Sequence, residues 1–211
     1  LEGEQSPGVT LAGLHDAGGF LEVRGTLQFN SATLSLLQSC TASALGFAHF
    51  RGSGLVWLRH YPDADLHLPA GEQLQNEIAI AGAGEIKGDG ALFNNASANI
   101  QAYDGIMHLY PGQTLNSGVI ESGGRPANGQ GHVPGTLYVG GVVANSGVLR
   151  VNNALSSLIL YGGNVAGGLI ETLGDGTGSV LTSGGLEDVQ LRNNLRVWGG
   201  TRCDLAGTLE K

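Results

Sequence analysis

A chain of 211 residues is long enough for one sizeable domain, and a hydrophobic fraction of 41 % excludes a disordered chain of low apolarity. Glycine takes 37 positions and charged residues only 13 %, against usual shares of about 7 % and about 25 %. The net charge of −8 comes from 18 acidic and 10 basic residues, with lysine only at Lys87 and Lys211, so there is no basic stripe to displace counterions from a nucleic-acid backbone.

No run approaches the roughly 18 consecutive apolar residues of a spanning helix, and no membrane insertion is expected. The chain opens at Leu1 with no charged-then-apolar leader and is expected to be part of a larger protein. Many glycines, short apolar runs and few charges together predict an all-β protein with repeated tight corners.

In chain order, the first elements are irregular. "LEVRGTLQF" at 21–29 and "GLVWLRH" at 54–60 read as strands, while 37–53 is ambiguous. "ATLSLLQSCTASAL" at 32–45 comes nearest to helical spacing but is too rich in Ser and Thr for a helix. Residues 1–77 are expected to be less regular turns of the same coil, with longer corners.

From Ile78 the apolar beats fall six to eight residues apart, three to a period of roughly 20–22. "IAIA" at 78–81, "GEIKG" at 84–88, "GALFNN" at 90–95, "ANIQA" at 98–102, "IMHLY" at 106–110 and "TLNSGVIES" at 114–122 each read as a short strand. In "GVLRV", alternation places Leu149 with Val151 on one side and Val148 with Arg150 on the other. "NSGVI" at 116–120 returns as "NSGVL" at 145–149, a longer step, and "RPANGQGHVP" at 125–134 supplies the surplus as a loop leaving the coil at a corner.

The Gly-Gly pairs at 140–141, 162–163 and 184–185 recur every 22 residues, which is the mark of stacked corners. Glycine takes positive φ without steric cost where the backbone swings between strands. Asparagine is next best there, and "NN" at 94–95, 152–153 and 193–194 predicts amide ladders along the axis. The expected fold is therefore a single domain over 1–211, a right-handed parallel β-helix (β-solenoid) of about nine or ten turns. Cys40 and Cys203 would then lie several turns, about 35 Å, apart, far beyond the roughly 7 Å that a disulfide spans.

"LNSGVIESGG", "GAGEIKGDGALFNN" and "GVLRVNN" resemble the repeats of large secreted bacterial surface proteins: autotransporter passenger domains, haemagglutinin-like adhesins and long sorting-signal-bearing surface proteins. The likeness covers 78–211 well and 1–77 weakly. It implies an extracellular or cell-surface setting and a non-enzymatic structural or adhesive role, and it carries over no catalytic residue. The partners expected are neighbouring repeats or further copies end to end, with glycans or cell-surface polymers as ligands.

Candidate chemistry is sparse. In "RHYPDADLHLPAGE", extended geometry places Asp63, Asp65 and His67 on one side and Leu66 and Leu68 on the other. Two carboxylates and an imidazole on one face suit a divalent cation such as calcium, and an outward strand face that carries charges is the simpler account; no cofactor is expected otherwise. "KGDGAL" at 87–92 and "GDGTG" at 174–178 share part of a calcium-binding nonapeptide and read as Asp-Gly turns. In "LRVWGG", Arg196 and Trp198 share the face opposite Leu195 and Val197, which makes Trp198 either a sugar-stacking platform beside Arg196 or a cover for the coil's end. Arg125 and His132 sit in the loop, where a rigid scaffold would meet a partner.

The alternative function is a carbohydrate-binding or carbohydrate-cleaving β-helix, a polysaccharide-active enzyme or tailspike-like fibre. It needs two carboxylates at a fixed separation. Glu187 and Asp188 are adjacent and point to opposite faces, so a partner would come from a neighbouring turn, for instance Glu171 or Asp175. "GTL" at 25–27, 135–137 and 207–209 forms no T-x-T rank of the kind that binds ice. No G-x-S-x-G nucleophile elbow occurs.

Overall fold

The computed structural model describes residues 9–37, 40–124, 133–153, 155–173, 179–192, 195–197 and 204–207. Among them lie strands and no helix, and the strands form one 19-stranded sheet. The chain is a parallel β-solenoid: each strand pairs in parallel with those one turn before and one turn after it. None of the described residues forms a helix long and apolar enough to cross a membrane.

Three faces are visited in rotation. The first stacks 14–17, 33–36, 55–58, 79–82, 99–102, 119–122, 148–151, 169–172 and 190–192. The second runs from 20–24 through 41–45, 64–67, 85–87, 107–109, 137–139 and 158–160 to 180–182 and 195–197. The third runs from 9–12 through 27–30, 47–50, 73–76, 91–94, 113–116, 142–145 and 164–166 to 185–187 and 204–206.

Period-two alternation decides which side chains face inward. On the first face Leu34, Val56, Ile80, Ile100, Ile120, Leu149 and Ile170 lie in one register and are all buried. Each such side chain contributes about 1.5–3 kcal/mol when it leaves water. Leu149 and Val151 point in and Val148 and Arg150 point out, as alternation requires. Near the start of the coil Phe29 and Phe50 fill the same interior edge to face, 5.9 Å between ring centroids.

The early turns differ from the expectation of longer corners. Phe20–Leu36 and Cys40–Arg59 are unbroken strands of 17 and 20 residues that carry their pairing through the corners. Glycines with positive φ bend them, at Gly25 (70°) and Gly46 (68°). Residues 40–53 of the ambiguous stretch are thus strand. Cys40 is buried and free, and burial pushes its thiol pKa up, only partly opposed by the hydrogen bond to the Leu37 backbone; Cys203 lies outside the described residues.

The asparagine ladder exists, but mostly at positions other than the Asn-Asn pairs. Asn76 donates to Asn94 Oδ1 (3.0 Å), Asn94 to Asn116 Oδ1 (2.8 Å), and Asn116 to Asn145 Oδ1 (2.7 Å). The steps are 18, 22 and 29 residues, so the period is far less even than 20–22, and the surplus in the last step is the loop whose base is closed by the antiparallel Gly124–Val133 bridge. The "NSG" corners explain the motif. Asn points inward, Ser117 and Ser146 hydrogen-bond the Asn94 and Asn116 carbonyl oxygens one turn back, and glycine follows because a Cβ at Gly147 would strike the Gly118 carbonyl.

The Gly-Gly pairs stack with a one-residue offset. Asn164 N–H donates to Gly141 O (3.0 Å) and Gly185 N–H to Gly163 O (3.0 Å), so Gly141, Gly163 and Gly184 form the rank, and Gly185 already belongs to the strand. A side chain at Gly163 would run into the Gly141 carbonyl. The glycines are there to let one corner lie on the next.

Candidate functional site

On the second face, outward positions form two adjacent ranks along the axis. One reads Asp65, Glu85, His108, Tyr138, and the other His67, Lys87, Tyr110, with Tyr161 beyond Gly140. Inward neighbours Leu66, Ile86, Leu109 and Val139 anchor each rung in the core, so these side chains stand on rigid strands. Four of the chain's five tyrosines gather here, since Tyr61 reaches in from the preceding corner.

His108 is the hub. Its ring centroid lies 4.7 Å from Tyr61, 5.0 Å from Tyr110 and 4.7 Å from Tyr138, all tilted or edge to face. The Tyr110 ring lies over Gly140, where a Cβ would come within 2.7 Å of it. Tyr161 is 60 % exposed at the far end.

Burial lowers the His108 pKa, with Glu85 opposing and Lys87 reinforcing, so the imidazole is neutral at pH 7. Its Nδ1 sits 3.7 Å from Glu85 Oε1, too long for a hydrogen bond. Burial, followed by the neighbouring phenols, pushes Tyr110 up to about 12, which keeps it protonated. Lys87 bridges Asp65 (3.0 Å) and Glu85; burial lowers its pKa, but those two hydrogen bonds outweigh burial and hold it above its ordinary value. Asp65 Oδ1 is buried and accepts no hydrogen bond among the described residues.

The chemistry this allows is recognition. The Asp65 and Glu85 carboxylates share one ammonium, so they form a bridged set and do not stand as an acid and a base across an open space. The surface offers apolar ring area with hydroxyl and carboxylate rims.

A second set of outward charges holds the first face together. Glu121 accepts from Asn99 (2.9 Å) and Asn152 (2.9 Å), and Arg150 lies 3.8 Å away. Arg150 Nε donates to Glu171 (3.0 Å), and Arg192 lies 3.7 Å from the same carboxylate. The alternation of sign along the axis satisfies two buried glutamates. Burial raises the Glu121 pKa against the opposing pull of Asn99 and Arg150. On the third face Phe93, Leu115, Ala144 and Ala166 form an outward apolar strip beside Asn95, Ser117 and Ser146, an open groove of about 410 Å³.

The predicted site residues fare unevenly. Asp65 and His67 point outward and Leu66 and Leu68 inward. Asp63 sits in the preceding turn, 3.4 Å from His60, and Asp65 is taken by Lys87, so the proposed trio does not converge. Among the described residues no three His, Cys, Asp or Glu side chains are grouped to hold a metal ion. Arg125, His132 and Trp198 lie outside the described residues, as do 174–178, and Arg196 is placed only as strand 195–197. Glu187 and Asp188 are exposed, and Glu171 is buried against arginines.

Sequence reasoning missed Tyr61, Glu85, Lys87, His108, Tyr110 and Tyr138 as a group, along with Tyr161. The one usable signal was "IMHLY", whose alternation turns His108 and Tyr110 outward once Met107 and Leu109 are assigned to the core. Compared with known proteins, the chain matches no family model, no curated protein and no solved structure.

Proposed function

We propose that the chain is a non-enzymatic structural or adhesive segment of an extracellular surface protein, of the bacterial kind its repeats resemble. The observation that carries this reading is the parallel pairing that runs from Val9 to Ala206 around an apolar and amide-laddered interior. A coil built this way is stiff, because each turn contributes backbone pairing and core cover to the next. Its outer faces are flat strand surfaces that repeat along the axis, as an adhesive or spacer needs.

The ion-paired Asp65–Lys87–Glu85 set supports the non-enzymatic side of the proposal. A carbohydrate-cleaving coil would need carboxylates left free to exchange protons with a substrate.

The test is mechanical and chemical. Held by its two ends in optical tweezers, the folded chain should resist extension and release in discrete turn-sized steps. Smooth extension from the lowest forces, as for an unpaired chain, would refute the structural role. Incubation with polygalacturonate, alginate and galactomannan should yield no new reducing ends or unsaturated products; steady release of either would refute the non-enzymatic role.

A further inference from the structure

Only 6 % of this chain is aromatic, yet four of its five tyrosines lie on one face, three of them packed around His108 and Tyr161 beyond them. Packing alone does not require this, because the rung interiors beneath are already filled by Leu66, Ile86, Leu109 and Val139. Elsewhere among the described residues, outward aromatics meet at most in pairs, as with Trp57 and Tyr103 at 6.0 Å or Phe47 and His49 at 6.3 Å. We propose that the face formed by Tyr61, His108, Tyr110, Tyr138 and Tyr161, with Lys87 and Glu85 at its edge, binds an uncharged hexose polymer lying along the coil axis. The proposal rests on the adhesive reading above and names its ligand.

Three observations select that chemistry. First, the rings pair apolar surface with phenol hydroxyls, which matches the C–H face and hydroxyl rim of a pyranose. Second, the ranks climb the coil at the strand spacing of about 4.8 Å, so a linear polymer parallel to the axis meets His108 and Tyr110 on one rung, Tyr138 on the next and Tyr161 on the one after. The rings lie on the outside of the coil, half-buried except for the exposed Tyr161, which suits a chain better than a small enclosed ligand. Third, charge excludes the alternatives. Asp65 and Glu85 outnumber Lys87 within a chain of net charge −8, which disfavours an acidic polysaccharide. The carboxylates are already paired with Lys87 and are not free to recruit a cationic one.

Protonation supports the same picture. Tyr110, with its pKa at about 12, stays a hydrogen-bond donor across the physiological range. Lys87 stays a cationic donor, and the phenol oxygens accept as well as donate, so both senses of hydrogen bond are available to sugar hydroxyls at the rim.

The experiment is affinity electrophoresis at pH 8, where the negative net charge carries the chain to the anode. Native gels hold hydroxyethyl cellulose, galactomannan or a neutral β-1,3-glucan, with polygalacturonate as the charged comparator. The wild type is expected to be retarded by at least one neutral glycan and not by the charged one. Tyr161→Ala should weaken that retardation about tenfold, because the ring is 60 % exposed and its removal leaves the core intact. Tyr138→Ala should do likewise, and Leu155→Ala, which removes an 80 % exposed apolar side chain elsewhere, should change nothing.

No retardation by any of the three neutral glycans overturns the proposal. So does retardation confined to a charged glycan, or retardation that Tyr161→Ala and Tyr138→Ala leave unchanged. Resistance to pulling does not depend on Tyr161, so loss of glycan binding with intact mechanics sinks this inference alone, and failure in the tweezers sinks the structural reading alone.

Discussion

The amide ladder should be the most sensitive single feature of the coil, and Asn116 is its most informative member. It is 1 % exposed, accepts from Asn94 (2.8 Å), and donates to Asn145 Oδ1 (2.7 Å) and Gly118 O (3.3 Å). Asn116→Ala leaves Asn94 Nδ2 one other acceptor, Val119 O at 3.2 Å, so that end loses about 1 kcal/mol. Asn145 Oδ1 loses its donor inside the coil, a desolvated acceptor worth about 1–3 kcal/mol. The expected loss is roughly 2–4 kcal/mol. Asn95→Ala is the matched control: it is one residue beyond the ladder, partly exposed, and its amide reaches only Glu77 (3.2 Å). Its cost should stay near 0.5 kcal/mol.

The assay is urea unfolding followed by far-ultraviolet circular dichroism, with the midpoint read at constant slope. A third variant sharpens it. Asn116→Asp keeps the shape but turns an acceptor toward Asn145 Oδ1 and buries a charge, so it should be worse than Asn116→Ala at pH 7. The folded state then favours the protonated carboxyl, which can donate as the amide did. The Asp variant should therefore regain stability as pH falls through its raised folded pKa. If Asn116→Ala costs no more than Asn95→Ala, the ladder is incidental and stacking rests on apolar burial alone.

Four further outcomes follow from the same geometry. Arg150→Ala leaves Glu121 and Glu171 without their shared cation and should cost about 3 kcal/mol of stability in urea unfolding, with Arg150→Lys recovering only part because an ammonium lacks the guanidinium fork whose Nη1 and Nε reach the two carboxylates separately. Burial raises the Glu121 pKa, so the folded state binds its proton more tightly than the unfolded chain. Its contribution falls as pH rises from the ordinary carboxylate range through the raised value, and Glu121→Gln should flatten that part of the stability–pH curve. Gly163→Ala, which meets the Gly141 carbonyl, should lower the melting temperature more than Gly162→Ala, which meets nothing within 4 Å and pays only for φ of 65°. The Cys40 thiol, buried and with its pKa raised, should resist iodoacetamide until denaturant opens the coil.

The sequence made the inside of this coil readable and the outside nearly opaque. Inward positions obey period two within each strand, so "GVLRV" is enough to send Leu149 and Val151 to the core. Corners also advertise themselves, because "NSG" and the Gly-Gly pairs are demanded by contacts with the turn directly below. The returning "NSG" made the 29-residue step from Asn116 to Asn145 legible. What could not be read was the length of the earlier step: Asn76 to Asn94 is 18 residues, so an even count of 22 mispairs residues there. The ladder was expected at the Asn-Asn pairs 94–95, 152–153 and 193–194; the last lies outside the described residues, and of the other four positions only Asn94 is among its hydrogen-bonded members. Asn153 instead ties its own corner, accepting from Leu155 N–H and Ser156.

The same arithmetic hid the aromatic face. Tyr61, His108, Tyr110, Tyr138 and Tyr161 come together only through register across several turns, and each looks like an ordinary outward side chain in its own strand. Outward residues carry no core constraint, so composition along one strand does not reveal what its neighbours supply. That freedom is also why a gathering of four tyrosines in a chain with five has weight: the fold needs the leucines and isoleucines beneath, but it would stack equally well with serine or threonine above them. Replacing Tyr138 and Tyr161 together by Ser should accordingly leave the urea midpoint within about 1 kcal/mol of wild type while abolishing retardation in neutral-glycan gels. A large loss of stability in that double variant would show that the rings are there to hold the coil together, and that the face has no ligand to explain.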